Sequence, residues 1–167
     1  MDAVRYYLDC EFNGFEGDLI SLALVREDGP YMYIADQQFL QYVQWSDRSA
    51  ICSPGIDKWV WENVLPLLGS KGGRTPTWIE RSEFAGYLQS FLRDDSNPVI
   101  IADWPDDVKY FCQCLIVGPG MMINIPAITF EVHRVDAYPT AVPGLIQHQA
   151  LDDAMALLAK LRGDALA

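Results

Sequence analysis

The chain has 167 residues, half of them hydrophobic, and carries a formal net charge of -11. A chain of this length can bury a sizeable core, so we expect one domain, spanning residues 1–167, that needs neither disulfides nor a structural metal. The acidic balance excludes a protein whose whole surface attracts nucleic acid, because phosphate binding normally draws on clustered Lys and Arg. Any polynucleotide partner must therefore be held locally.

Cysteine spacing and hydropathy indicate the compartment. The four cysteines form no C-x-x-C pair, and the two nearest ones lie in an apolar run, so we expect reduced thiols. No basic segment followed by a long apolar stretch opens the sequence, and no apolar run approaches the roughly 18 residues of a membrane span. We therefore expect a cytoplasmic protein with no membrane partner.

The first part of the chain predicts a β meander. Arg5 to Phe12 is rich in aromatic residues and Leu19 to Val25 is almost wholly apolar, with turn-forming residues between them. A turn signal, Asp-Gly-Pro, then precedes a third predicted strand over Tyr31 to Ala35.

Helical periodicity follows. Apolar residues, Trp59 among them, recur at helical spacing from Ile56 to Leu68, where Pro66 is expected to kink or end the helix. A second helix beginning at Ser82 has apolar residues at positions i, i+3, i+4, i+7 and i+8. These residues are Phe84, Tyr87, Leu88, Phe91 and Leu92.

The remaining segments complete the predicted architecture. They are a strand over Pro98 to Ala102, a helix beginning at Pro105, a loop over Pro119 to Pro126, a strand over Ile128 to Val135 and a helix over Ala150 to Leu161. Strands that alternate with helices in this order predict an α/β fold, in which helices cover a mixed sheet.

Two acids in the first strand are the first candidates for chemistry. Strand alternation places Asp9 and Glu11 on one face and Leu8 and Cys10 on the other. Such a pair repels itself inside an apolar strand unless a cation lies between the carboxylates. Hard oxygen ligands suit Mg²⁺ or Mn²⁺. Taken alone, the pair is a weak signal, because an exposed strand end on which both acids are solvated explains it more simply.

Acids at two helix starts support the interpretation that the pair binds a cation. With about 100° of rotation per residue, Asp107 borders the apolar stripe of its helix, whereas the adjacent acid points away and suits the helix dipole. Asp153 likewise flanks the buried face of the last helix, while we expect Asp152 to be solvated or to complement the helix start. His148 precedes that helix on a loop that can reach the acids, whereas we expect His133 to be structural.

Taken together, the three motifs resemble the DEDDh family of 3′-to-5′ exonucleases. They are D-x-E in the first strand, an acid opening a helix in mid-chain and H-x4-D near the C-terminus. The family's middle motif often reads N-A-x-F-D, and it aligns with residues 103–107. In this alignment Asp107 takes the position of the metal ligand, and Asp103 takes the position at which the family has Asn. The segment from His148 to Ala154 is close to the family's H-x-A-L-x-D-A. Order and spacing are most similar to the short bacterial ribonuclease AS and ribonuclease T types.

The resemblance implies a ribonuclease H-like fold, with a mixed sheet of five or six strands flanked by helices, and it is compatible with a homodimer. It implies two divalent cations, Mg²⁺ or Mn²⁺, that activate water on a phosphodiester. Their ligands would be Asp9, Glu11, Asp107 and Asp153, and His148 would take the proton from the water. The substrate would be the 3′ end of single-stranded RNA or DNA, with RNA favoured, and the product a nucleoside 5′-monophosphate.

Two further assignments stay open in the sequence. Phe12 offers an aromatic stacking face for a terminal base, but it suits the core equally. Lys71, Arg74 and Arg81 form the only concentrated basic patch, which fits a phosphate backbone or a solvated loop.

The sequence also leaves open three functional alternatives. A DNA-directed exonuclease would have nearly the same site, because the choice of sugar depends on a contact to the 2′-OH. A nuclease-like binding domain without catalysis would keep the fold, although it has no physical need to hold four like charges together. A module whose acids are arranged by chance would require three independent coincidences of type, spacing and order.

Overall fold

The structure is a computed structural model that describes residues 3–69, 71–134 and 142–163. Within these ranges the strands are β1 (Val4–Phe12), β2 (Leu19–Arg26), β3 (Tyr31–Asp36), β4 (Thr77–Ile79), β5 (Pro98–Ala102), β6 (Ile116–Gly118), β7 (Met121–Met122) and β8 (Thr129–Val132). The helices are α1 (Leu40–Ser46), α2 (Lys58–Asn63), α3 (Leu65–Leu68), α4 (Phe84–Leu92), α5 (Pro105–Leu115) and α6 (Ala150–Arg162). Short 3₁₀ turns precede α1 and α4.

The described strands form one six-stranded sheet in the order β4-β3-β2-β1-β5-β8, and β6 pairs with β7 in a separate hairpin. Neighbours β1/β2 and β2/β3 are antiparallel, whereas β1/β5, β3/β4 and β5/β8 are parallel. The prediction of an α/β fold with a mixed sheet flanked by helices is confirmed. Strand β8 is shorter than its predicted range, of which Val135 lies outside the described residues.

Helices cover both faces of this sheet because the central strands are apolar on both sides. In β1, Tyr6 and Leu8 belong to a core that also contains residues of α4 and α5. Tyr7, which points the other way, belongs to a second core with residues of α1, α2, α3 and α6. Strands buried on both faces are apolar without strict alternation, and this is the pattern of β2 and β5.

The predicted helix from Ile56 to Leu68 consists of two shorter helices. The Asp57 side chain caps α2 by accepting hydrogen bonds from the N–H groups of Trp59 and Val60. Pro66 lies in the first turn of α3, where its missing N–H costs no helical hydrogen bond. The expected break at this proline is confirmed, and it falls at the junction of α2 and α3.

The sequence did not predict β4, α1 or the hairpin of β6 and β7. Strand β4 has three residues, which is too short for alternation to be visible. Helix α1 buries Val43 and shows no apolar stripe. Met121–Met122 lies inside the segment predicted as a loop and pairs with β6, which directly follows α5.

Two global expectations concern membranes and thiols. Among the described residues, no helix is both long enough and apolar enough to cross a membrane. All four cysteines are free, and Cys10 and Cys114 are buried, which agrees with the expectation of reduced thiols.

The parallel pairing of β1 with β5 determines where the functional side chains meet. Their carboxyl ends lie at the same edge of the sheet, and α5 begins three residues after β5 ends. Helix α6 packs across β1 and β2 and begins close to the same edge. The carboxyl edge of parallel strands is the usual place for a ligand in open α/β sheets.

Candidate metal centre

Five acids meet at this edge of the sheet, and we refer to them as the carboxylate cluster: Asp9, Glu11, Asp103, Asp107 and Asp153. Two come from β1, two flank the start of α5 and one comes from the first turn of α6. Four of them are the ligands expected from the sequence, and the structure brings all four together. The fifth, Asp103, was not predicted as a member.

Alternation along β1 directs the first two acids to the cluster. Asp9 lies opposite Ala23 and Glu11 opposite Ser21 on β2, and both carboxylates point away from the core that holds Leu8. A bulge between Glu11 and the next residue ends the regular register. The extra residue is Ile20 on β2, so the alternation of β1 continues and Phe12 packs against the core that holds Leu8.

Asp107 is the most buried member of the cluster, with 2% of its surface exposed. Its Oδ1 accepts a hydrogen bond of 3.1 Å from the Cys10 N–H, which connects α5 to β1. Its Oδ2 is buried and has no hydrogen-bond partner among the described residues. The predicted inward orientation of Asp107 is confirmed, and one of its oxygens is left available for a cation.

His148 lies on the loop before α6 with a φ of 66°, in the left-handed region that few residues other than glycine adopt. Its N–H donates to Asp153 Oδ2 at 2.9 Å. The ring meets Trp59 edge-on, with ring centroids 4.8 Å apart. The neighbouring Gln149 side chain donates to the carbonyl oxygens of Leu67 and Arg74 and ties the loop to the preceding helices.

The cluster divides into two groups that share one residue. One oxygen each from Asp9, Asp103 and Asp107 lie within 4.8 Å of one another, and so do oxygens from Asp9, Glu11 and Asp153. Asp9 therefore belongs to both groups. Hard divalent cations prefer such carboxylate oxygens, and the unpartnered Oδ2 of Asp107 is an oxygen of this kind. The acidic groups can therefore hold a metal ion.

Burial and mutual repulsion raise the pKa values of the carboxyl groups in the cluster. Burial is the largest cause for every member, and neighbouring carboxylates add to it for Asp9, Glu11 and Asp107, whose pKa values lie well above the ordinary range. Burial also raises the pKa of Asp103, and it raises that of Asp153 to about 8. Within the described chain, no lysine or arginine forms an ion pair with any member. The cluster therefore holds protons or a cation at neutral pH.

Burial has the opposite effect on the imidazole, since it disfavours the charged form. It lowers the pKa of His148, so the metal-free ring is neutral at pH 7. A neutral imidazole has one nitrogen that can accept a proton.

A cavity of about 570 Å³ opens over the cluster. All five carboxylates line it, as do His148 and Phe12. Phe12 is partly buried and stacks on Tyr110, with centroids 4.8 Å apart, so it contributes to both the core and the cavity. The remaining lining includes Trp59, Trp104 and Arg134.

Asp152 was expected either to be solvated or to complement the helix start. It lies in the first turn of α6, but it is not solvated. Only 1% of its surface is exposed, and its Oδ1 accepts a 2.6 Å hydrogen bond from Arg74 Nε. Its Oδ2 accepts a 2.8 Å hydrogen bond from the Ile146 N–H. Asp152 therefore fixes the loop that leads to His148, and its partner comes from a distant part of the chain that helix periodicity cannot reveal.

The predicted basic patch does not form as one surface. Arg74 is paired with Asp152 on the side of the sheet covered by α6. Arg81 lies on the opposite side, where it donates to Cys114 Sγ and stacks over the Phe84 ring. Of the described residues that line the cavity, Arg134 is the only arginine or lysine.

Sequence reasoning missed four cavity residues: Asp103, Trp59, Trp104 and Arg134. Trp59 was assigned to a buried helix face, but 50% of its surface is exposed, and Trp104 is equally exposed. The signal for Asp103 was present, because it follows a buried strand at the edge where a ligand binds. No pattern in the sequence distinguishes Trp59 from a core residue.

His133 follows β8 and has an exposed ring hydrogen-bonded to Glu131 at 2.9 Å. It does not line the cavity. His133 is therefore not part of the candidate site.

Comparison with known proteins identifies no relative: no protein-family model matches the chain, and no curated protein matches it. The functional argument therefore depends on the geometry of the cluster and its cavity.

Proposed function

We propose that this protein is a metal-dependent 3′-to-5′ exonuclease with a ribonuclease H-like fold, which releases nucleoside 5′-monophosphates from single-stranded nucleic acid. The observation that carries the proposal is that the five acids form two sets of three, both of which contain Asp9. In each set, one oxygen from every acid lies within 4.8 Å of the others. Three elements distant in sequence contribute to this arrangement, and a binding domain without catalysis has no physical need for it. The topology of the sheet is compatible with the proposed fold.

When bound, two divalent cations would polarise the terminal phosphodiester, acidify a water molecule and stabilise the leaving oxygen. The protein's own task is to position them. Asp107 is held by the Cys10 N–H and Asp153 by the His148 N–H, so two of the ligands are oriented before any cation arrives. Ligands fixed in this way lose little freedom on binding.

His148 is the proposed general base. It lines the same cavity as the carboxylates, and its backbone is fixed to Asp153. The water oxygen bonds to phosphorus while its proton passes to the imidazole, and the 3′ oxygen leaves with the bonding electron pair and takes up a proton. The products are a nucleoside 5′-monophosphate and a chain that ends in a free 3′-OH.

Aromatic side chains around the cavity suit the terminal nucleotide. Phe12, Trp59 and Trp104 line it, and the two tryptophans are half exposed. Stacking on such rings contributes about 1–3 kcal/mol per base and tolerates any base. Arg134 supplies a positive charge for a phosphate. This local binding is consistent with a chain whose net charge is -11.

The preference for RNA rests on the resemblance to the ribonuclease AS and ribonuclease T types. DNA is the alternative substrate, and the experiment tests both.

The experiment is degradation of matched 5′-labelled RNA and DNA strands with Mn²⁺, with Mg²⁺ and with EDTA. We expect a metal-dependent ladder that shortens from the 3′ end and is lost in the Asp9→Asn and His148→Ala proteins. Asp94→Asn is the matched control, because this acid is 85% exposed and lies outside the cavity. A ladder on DNA alone would replace the RNA assignment, and the absence of cleavage on both strands would contradict the proposal.

A further inference from the structure

Asp103 stands at the place where the resemblance predicts an uncharged side chain. It follows β5 directly and lines the cavity beside Asp107. One of its oxygens lies within 4.8 Å of ligand oxygens of both Asp9 and Asp107. A carboxylate at this position adds to the repulsion among the acids of the metal-free cluster.

An independent observation indicates that a cation belongs in this group. Asp107 Oδ1 is used by the Cys10 N–H, whereas its buried Oδ2 has no partner among the described residues. Leaving a buried polar atom unpaired is unfavourable, and more so for a charged group. A cation held by Asp9, Asp103 and Asp107 would satisfy this oxygen.

Neither a helix cap nor an ion pair accounts for Asp103 among the described residues. The cap of α5 is Trp104, and no side chain caps that helix end. Within the described residues, Asp103 forms no ion pair with a lysine or arginine. By contrast, Asp106 on the same turn has partners of its own, Lys109 at 3.7 Å and the Trp104 indole N–H at 3.1 Å.

We propose that Asp103 is a direct metal ligand, which with Asp9 and Asp107 forms a second cation site built entirely from protein carboxylates. The inference rests on the proposed function, because it divides the cluster into two sites. Asp9, Glu11 and Asp153 form the first site. Three carboxylates at the second site hold a divalent cation without help from a substrate phosphate, so both cations bind before the nucleic acid.

The test is isothermal titration of the metal-free full-length protein with Mn²⁺ in the absence of nucleic acid. We expect two binding events in the unaltered protein. Asp103→Asn keeps the shape of the side chain and removes its charge, so it weakens one event at least about tenfold and leaves the other unchanged. Asp106→Asn is the matched control, since this neighbouring acid lies outside both groups, and it retains two events.

The outcomes separate this inference from the proposed function. If Asp103→Asn binds Mn²⁺ like the unaltered protein, Asp103 is not a ligand, although the first site and the exonuclease proposal remain. A single binding event in the unaltered protein also overturns the inference. If the unaltered protein binds no Mn²⁺, both the inference and the proposed metal chemistry are wrong. Far-ultraviolet circular dichroism and thermal unfolding in EDTA verify that each variant is folded.

Discussion

Neutralising Asp9 will stabilise the metal-free protein and abolish its response to metal. Asp9 belongs to both carboxylate groups, so Asp9→Asn removes repulsion against four neighbours while keeping the size of the side chain. Two unit charges 4.8 Å apart repel each other by about 3 kcal/mol at an effective dielectric constant near 20. Protons bound by the other members relieve part of this repulsion, so we expect a net gain of about 1–3 kcal/mol.

Thermal unfolding at pH 8.5 measures both effects. In EDTA the variant will melt at a higher temperature than the unaltered protein, by roughly 2–4 °C for each kcal/mol gained. Saturating Mn²⁺ will raise the Tm of the unaltered protein, because a ligand that binds only the folded state stabilises it, and will leave the variant almost unchanged. Asp94→Asn, which removes an exposed charge, controls for net charge. A variant that is less stable in EDTA, or that keeps the full Mn²⁺ response, would refute the reasoning.

Three further predictions concern the surroundings of the cluster. Arg74→Met leaves the buried Asp152 carboxylate unpaired and will cost about 3 kcal/mol in urea unfolding; a loss below about 0.5 kcal/mol would contradict the importance of this pair. His148→Ala will reduce kcat at least about 100-fold yet keep the Mn²⁺-induced rise in Tm. Loss of the Mn²⁺-induced rise in Tm would indicate that His148 is a metal ligand instead of a base. Because the folded-state pKa of Asp153 is about 8, above its ordinary unfolded value, the metal-free Tm will fall from about pH 4 to pH 8. Saturating Mn²⁺ will suppress this fall, and a metal-free Tm that rises over the same range would contradict the repulsion within the cluster.

Periodicity predicted the elements that carry the cluster because each acid interrupts an otherwise apolar pattern. Asp9 and Glu11 follow strand alternation, and Asp107 and Asp153 border apolar helix stripes. These patterns involve only neighbouring residues, so they can be recognised in a single sequence. The parallel pairing of β1 with β5 then brings the acids together, and alternation alone does not specify that pairing.

Long-range partners account for what the sequence could not reveal. Asp152 is buried because Arg74, distant in sequence, pairs with it. Trp59 follows the apolar spacing of a core residue, yet α2 presents it to the cavity beside His148. Arg74 and Arg81 are close in sequence, but β4 between them sends their side chains to opposite faces of the sheet. Short edge elements such as β4 depend on a neighbouring strand and leave no periodic signal.

The most direct measurement is the anomalous difference map of a crystal grown with Mn²⁺ and a nucleoside 5′-monophosphate. The proposed function predicts manganese bound to Asp9 within the carboxylate cluster, with the nucleotide phosphate beside it and His148 facing that phosphate. Manganese absent from the cluster, or a nucleotide bound outside the cavity, would contradict the proposed exonuclease site.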